Sequence, residues 1–395
     1  MNNIKTEYNL FDKIYLVYIF IYANLFISPL FALIPFSVWQ LITVITFFLL
    51  FASYTRRHTI DKIFVFLFVI SAITFSLPAL FYQDINPITN NIAYLFVMVL
   101  FCFFKEKYIN PFITYSTIFI CILIVGAYIG FLYALVGGAP TFTYNGAEGR
   151  RHLFYLTTSV PANAVLGRFI RPGGIYDEPG SLSSFICSIC LLRVLYRRND
   201  NKTLFILLAG LITFSLFHLI IVFCFFVYYL IRNRRKKSTI FFIAIMALIF
   251  ISLIILFYDA VEQILLSRLK MTSDGRLAGD TRIHSMMSAL SLINNESFFW
   301  GIGTDIYYNP RNYLYFNDNP LTLLARYGLF ASWYYYVFLI IIFIAGIFKR
   351  RYFLIFLAMG LTFFPHPYPN IISYSFYFGI FFHSALLNIK SKWKV

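Results

Sequence analysis

The fold class this sequence predicts is an all-α integral membrane protein: one domain over residues 1–395, with about 12 transmembrane helices. Three observations carry that expectation. Of the 395 residues, 60% are hydrophobic and 12% charged, whereas soluble domains carry about 25% charged residues. The apolar residues gather into long runs, and roughly 20 of them in helical form cross the hydrocarbon layer with every backbone group bonded internally. Short clusters of lysine and arginine separate these runs.

The runs lie at 14–33, 36–54, 63–82, 88–104, 109–136, 180–196, 203–216, 217–231, 238–257, 320–347, 352–365 and 370–388. No small-residue cleavage site follows the first run, so it reads as a retained span and not a signal peptide. Basic clusters stand at Arg56/Arg57/Lys62, Lys105/Lys107, Arg197/Arg198/Lys202, Arg232/Arg234/Arg235/Lys236/Lys237, Lys349/Arg350/Arg351 and Lys390/Lys392/Lys394. Spans keep such clusters on the cytoplasmic side, which fixes the parity and puts both termini in the cytoplasm. Residues 203–231 have basic clusters on both sides, so they cross twice or not at all. Their length predicts a tight hairpin of short helices turning near Phe217 and His218.

The formal net charge of +16 belongs to span ends and not to an amphipathic soluble face, which argues against a nucleic-acid role. The five cysteines all fall inside apolar runs. Cys187 and Cys190 form a CxxC with no second pair, which reads as helix packing rather than a metal or redox site. No HExxH or Cys/His cluster appears, and the scattered acids lack Mg²⁺ or Ca²⁺ spacing, so chemistry without metal or cofactor is expected.

With this topology two long loops, 137–179 and 258–319, face outward, and each is expected to carry short amphipathic helices. The outer side holds nine arginines but one lysine, Lys270, against eleven acids. Arginine grips phosphate or carboxylate through a planar fork and stays charged, so this bias points to an anionic ligand. Salt bridging with the acids is the competing reading. In the second loop, apolar positions recur at helical spacing over 258–271 and 282–293, with Asp280 or Thr281 placed to cap the latter. Such helices lie on the membrane surface or cover the bundle.

Four constellations stand out. Arg168, Arg171, Gly173, Gly174, Asp177, Glu178, Pro179 and Gly180 lead directly into a span. Glu178 sits there at the outer mouth among arginines, where a carboxylate can take a proton from a sugar hydroxyl. A structural Glu–Arg pair is the alternative. Arg276 and Arg282 flank a glycine-containing turn that opens a helix, an arrangement suited to a diphosphate. Trp300, Gly301 and Gly303 form a tight turn, read as architecture. Asp318, Asn319, Pro320, Thr322 and Arg326 enter the next span, with Asn319, Thr322 and Arg326 on one face. Arginine inside a span costs about 2.5–3.5 kcal/mol, so Arg326 faces the bundle or a wet cavity, or else snorkels outward. His218 at the expected hairpin tip, and His152 after Arg150 and Arg151, are further candidate bases; a hydrogen-bonded loop role competes for both.

The order of these motifs over residues 110–350 resembles the O-antigen polymerase and ligase superfamily of bacterial envelope glycan assembly. The resemblance implies transfer of a glycan from an undecaprenyl-diphosphate-linked oligosaccharide to an acceptor, on the periplasmic face of the inner membrane, without metal or nucleotide sugar. It implies that Arg171 and Arg282 match the family arginines and Glu178 the acid. Arg168, Arg276 and Arg326 join as diphosphate ligands, and His218 and Asn319 lie on the acceptor side. The ligase branch has a histidine just before the asparagine at the late span; Asp318 stands there, which favours a polymerase and leaves Asp318 or Glu178 as base. The Ser-Arg usual in the short hairpin is replaced by Ser215-Leu216. A chain-length regulator is the partner the resemblance suggests. A ligase and a lipid-linked oligosaccharide flippase or transporter remain the alternatives; the absence of an internal repeat counts against a transporter.

Overall fold

The computed structural model describes residues 8–25, 60–89, 91–145, 151–196, 200–233, 281–303, 319–364 and 371–390. The expected spans at 36–54 and 238–257 and the expected helix at 258–271 lie outside these residues, as do Arg276 and Asp318. The chain is mostly helical. Its first helices are α1 (Leu10–Asn24), α2 (Lys62–Phe81), α3 (Ile92–Phe103) and α4 (Glu106–Leu135). After the first long loop come α5 (Pro179–Leu195), α6 (Asp200–Ala209) and α7 (Leu216–Asn233). Beyond the second come α8 (Thr281–Leu292), α9 (Asn295–Trp300), α10 (Thr322–Phe348), α11 (Phe353–Phe363) and α12 (Ile372–Lys390). Among them α2, α4, α10 and α12 are long and apolar enough to cross a membrane, and α3, α5 and α7 are shorter apolar helices.

α5 is the axis of the bundle. Every residue from Pro179 to Val194 except Gly180 is buried, as suits a helix enclosed on all sides. It packs against α4, α6, α7 and α11, and α11 in turn packs against α10. Aromatic rings fill the second half of the core: Tyr94 stacks on Tyr334 at 3.7 Å, and Phe338 on Phe382 at 3.7 Å. At one end of α1, Lys107 Nζ lies 2.7 Å from Asp12 Oδ1, tying α1 to α4.

The first long loop corrects the all-α expectation. Instead of amphipathic helices it folds into a three-stranded antiparallel sheet, β1 (Phe142–Asn145), β2 (Arg151–Tyr155) and β3 (Thr158–Pro161). A two-stranded ribbon of β4 (Val165–Leu166) and β5 (Phe169–Ile170) follows. The reason lies in α4. Its 30 residues extend about 45 Å, more than the hydrocarbon layer, and carry Gly126 and Gly130 one turn apart near the far end. The β2–β3 turn lies on that bare strip: Thr157 Oγ1 donates to the Gly126 carbonyl, and a Cβ on Gly130 would strike Thr158 and the Tyr155 carbonyl.

Residues 203–231, expected to cross twice, fall in two short helices, α6 and α7, and the turn between them comes earlier than expected. A 3-10 turn at Gly210–Thr213 and a left-handed Phe214 (φ 48°) reverse the chain. His218 therefore sits within the first turn of α7, fully buried, and not at the tip. The helix expected over 282–293 is present as α8. It covers the bundle, packing on the start of α10.

Candidate functional site

At the mouth of α5 the chain from Arg171 to Glu178 wraps over β3. Gly173 N–H donates to the Ser159 carbonyl (2.8 Å), and Gly174 N–H to Thr158 Oγ1 (2.9 Å). Gly174 takes φ +64°, a conformation side chains resist, so this is where the reversal needs glycine. Glu178 then occupies the N-cap position in extended conformation, with Pro179 as the first helical residue. Arg171 reaches the neighbouring hairpin, where its Nη2 donates to the Phe214 carbonyl at 3.2 Å. The left-handed turn at Phe214 thus holds the guanidinium beside the α5 mouth.

Asp177 precedes Glu178 and is partly buried, accepting from Ser181 Oγ at 2.8 Å. Burial, with a contribution from the Glu178 carboxylate, pushes Asp177 up to about 6. Tyr374, in the first turn of α12, approaches Ser181, Ser184 and both carboxylates. Beneath them Tyr176 is buried and stacked on Phe185 at 4.6 Å. The result is two adjacent carboxylates and a phenol drawn together from the α5 mouth and α12, with Arg171 earlier on the same entering segment.

Arg168 sits elsewhere. It lies at the β4–β5 turn, exposed, with its guanidinium 3.9 Å from the position a Cβ would take on Gly137, just beyond the C-terminus of α4. A cation there also complements the helix dipole.

A second cluster forms where α10 begins. Asn319 is fully buried: its Oδ1 accepts from Leu321 N–H (2.8 Å) and its Nδ2 donates to Ser285 Oγ on α8 (3.0 Å). The helix starts at Thr322, two residues later than expected, because Asn319 closes a turn over Pro320 and Leu321 first. Ser285 lies one turn after Arg282, so the Asn319 bond anchors the arginine-bearing start of α8 to the mouth of α10. Arg282's own side chain is outside the described residues. Arg326 lies partly buried, its guanidinium over the Tyr327 ring at 4.8 Å.

α10 is broken at Gly328, whose φ of 69° and ψ of 178° leave helical space. The Gly301 turn after α9 enters the gap. A Cβ on Gly301 would strike the Arg326 carbonyl, and one on Gly328 the Phe299 carbonyl and Gly301 N. The interrupted ladder is met from outside by Ile302, whose N–H donates to the Ala325 carbonyl (2.9 Å), and within α10 Tyr336 Oη reaches back to the Pro320 carbonyl (2.9 Å). The architectural reading of Trp300, Gly301 and Gly303 thus acquires a purpose, which is to hold the Asn319–Arg326 segment at a fixed angle.

His218 is engaged within the protein. Its Nε2–H meets the Leu207 carbonyl at 2.7 Å, which leaves Nδ1 to accept from Ser183 Oγ at 3.0 Å. It braces α7 against α5 and α6. Among the described residues, no group of three His, Cys, Asp or Glu is placed to hold a metal ion. Sequence reading named Asp177 in its motif without giving it a role, and passed over Tyr374. The first stood beside the chosen Glu178, and the second lies two hundred residues away with no local signal.

No family model matches this chain, and no curated protein or solved structure matches it either.

Proposed function

We propose that this chain is a multi-pass bacterial inner-membrane polymerase of undecaprenyl-diphosphate-linked oligosaccharide repeat units, crossing twelve times with both termini cytoplasmic and acting at its periplasmic face. The observation that supports the reading is the segment entering α5, in which Arg171 donates to the Phe214 carbonyl and Asp177, next to Glu178, accepts from Ser181 Oγ. The ordered motifs of the sequence supply the reaction class. In this reading an acceptor sugar hydroxyl attacks the anomeric carbon of the carrier-linked glycan. The new C–O bond forms as the anomeric C–O–phosphate bond breaks, and the electron pair leaves with the lipid diphosphate. The acceptor proton passes to a carboxylate at the α5 mouth. Arg171 and Arg282, with Arg326 and Arg276 in support, meet the charge that grows on the diphosphate. Asp177, with its raised pKa, is the base this geometry favours over Glu178.

The test is complementation of a deletion strain with Arg171→Ala, Arg282→Ala, Glu178→Ala and Asp177→Asn. Loss of long glycan, with each variant still present in the membrane, is the expected outcome. Wild-type polymer lengths in all four would refute the site.

A further inference from the structure

We infer that Ser181 and Tyr374 are positioning residues for the proposed transfer, which hold the Asp177 carboxylate fixed at the mouth of α5. The inference rests on the polymerase reading. Ser181 is the third residue of α5, and its side chain is buried. A serine near a helix start commonly bonds the carbonyl four residues back. Here the residue four back is Asp177, and Ser181 Oγ donates instead to the carboxylate, at 2.8 Å from Oδ1. A hydroxyl has one proton and an ionised carboxylate only accepts, so that proton is committed to Asp177.

The phenol of Tyr374 comes from the first turn of α12 to within hydrogen-bonding reach of Ser181 and Ser184. Between Tyr374 and Ser181 the phenol is the donor, because the serine proton is already placed. Hydrogen bonds in series polarise one another, so the phenol strengthens the bond that Ser181 makes to Asp177. Packing fixes the phenol. The Phe185 ring lies 5.7 Å from Tyr374, 5.3 Å from Tyr377 and 4.6 Å from Tyr176. One turn further along α12, Tyr377 Oη donates to Asn24 Oδ1 at 2.9 Å and ties that helix to α1. Among the described residues, the titratable groups facing Asp177 are Glu178 on its own segment and Tyr374 from α12, with Tyr176 and Tyr377 behind them. α5 itself brings only hydroxyls.

The test follows the melting temperature of the full-length protein from pH 4.5 to 8 in wild type, Ser181→Ala, Asp177→Asn and the double variant. The pH profile of glycan polymerisation in membranes is the second readout. A hydrogen bond to a charged group is worth most when the charge is present, so Ser181→Ala should lower the melting temperature more at pH 8 than at pH 4.5. That difference should vanish in the Asp177→Asn background. The acidic limb of polymerisation should move up by about one pH unit in Ser181→Ala and stay at its wild-type position in Ser181→Thr, which keeps the hydroxyl. Tyr374→Phe should move the limb the same way by a smaller step, and it decides the matter if Ser181→Ala does not fold. A Ser181→Ala penalty equal at every pH, or a limb that neither variant moves, overturns the inference and leaves the hydroxyl a helix-start role alone. Wild-type membranes that make no glycan polymer at any pH defeat the polymerase reading, and the role in transfer with it. A melting cycle without coupling defeats the positioning alone.

Discussion

Burial at the α5 mouth and the adjoining Glu178 carboxylate push Asp177 up to about 6, and this one residue links pH to both stability and transfer. The folded protein holds that proton more tightly than an unfolded aspartic acid does. Stability is therefore lost as pH rises from about 4 through about 6, where the folded group ionises and the buried charge remains. Transfer runs the other way, because only the ionised carboxylate accepts a proton. Glycan polymerisation in membranes should rise through about pH 6, and Asp177→Asn should abolish that limb while raising the melting temperature at pH 7. A melting temperature lowered by Asp177→Asn would contradict the placement. Arg171→Ala should cost about 10²–10³-fold in polymerisation, the loss typical of one preorganised donor to a developing anion. Arg171→Lys, with no planar fork to serve carbonyl and diphosphate together, should recover only a small part.

Helix–helix junctions decide whether those residues meet, and two of them invite direct tests. Gly301 and Gly328 interlock backbone to backbone, and both have positive φ, at 86° and 69°. Gly328→Ala costs about 1–3 kcal/mol for a backbone conformation that is essentially glycine-only, and the clash with Phe299 adds to it. Its melting temperature should fall sharply. Gly180→Ala, whose added Cβ meets nothing within 4 Å, is the matched control and should be neutral or slightly stabilising. At the other junction, a double-mutant cycle of Asn319→Ala and Ser285→Ala should show coupling of about 0.5–1.5 kcal/mol, the net worth of one hydrogen bond. Additive effects would mean that α8 is held to α10 by packing alone.

At the scale of the whole molecule, apolar runs separated by basic clusters made the helices legible, because lipid admits few other structures. Even the paired short helices of 203–231 followed from charge parity. Their turn was misplaced by a few residues because Gly210–Thr213 tightens into a 3-10 turn, which leaves His218 buried. The strands of the first loop were missed because polar residues such as Thr157 and Thr158 gain their place from the bare strip of α4, far off in sequence. Arg171 and Glu178 were visible as a motif, whereas Tyr374 became part of the mouth only through folding. The twelve-crossing topology has its own check: reporter fusions at 140 and 300 should read outside, and at 105, 198 and 392 inside. The measurement closest to the central claim is a gel of surface glycan from a strain lacking this gene, beside the complemented strain. Polymerisation predicts a single capped repeat in the deletion and a restored ladder on complementation. A deletion strain that keeps its ladder, or that shows no surface repeat at all, would contradict it.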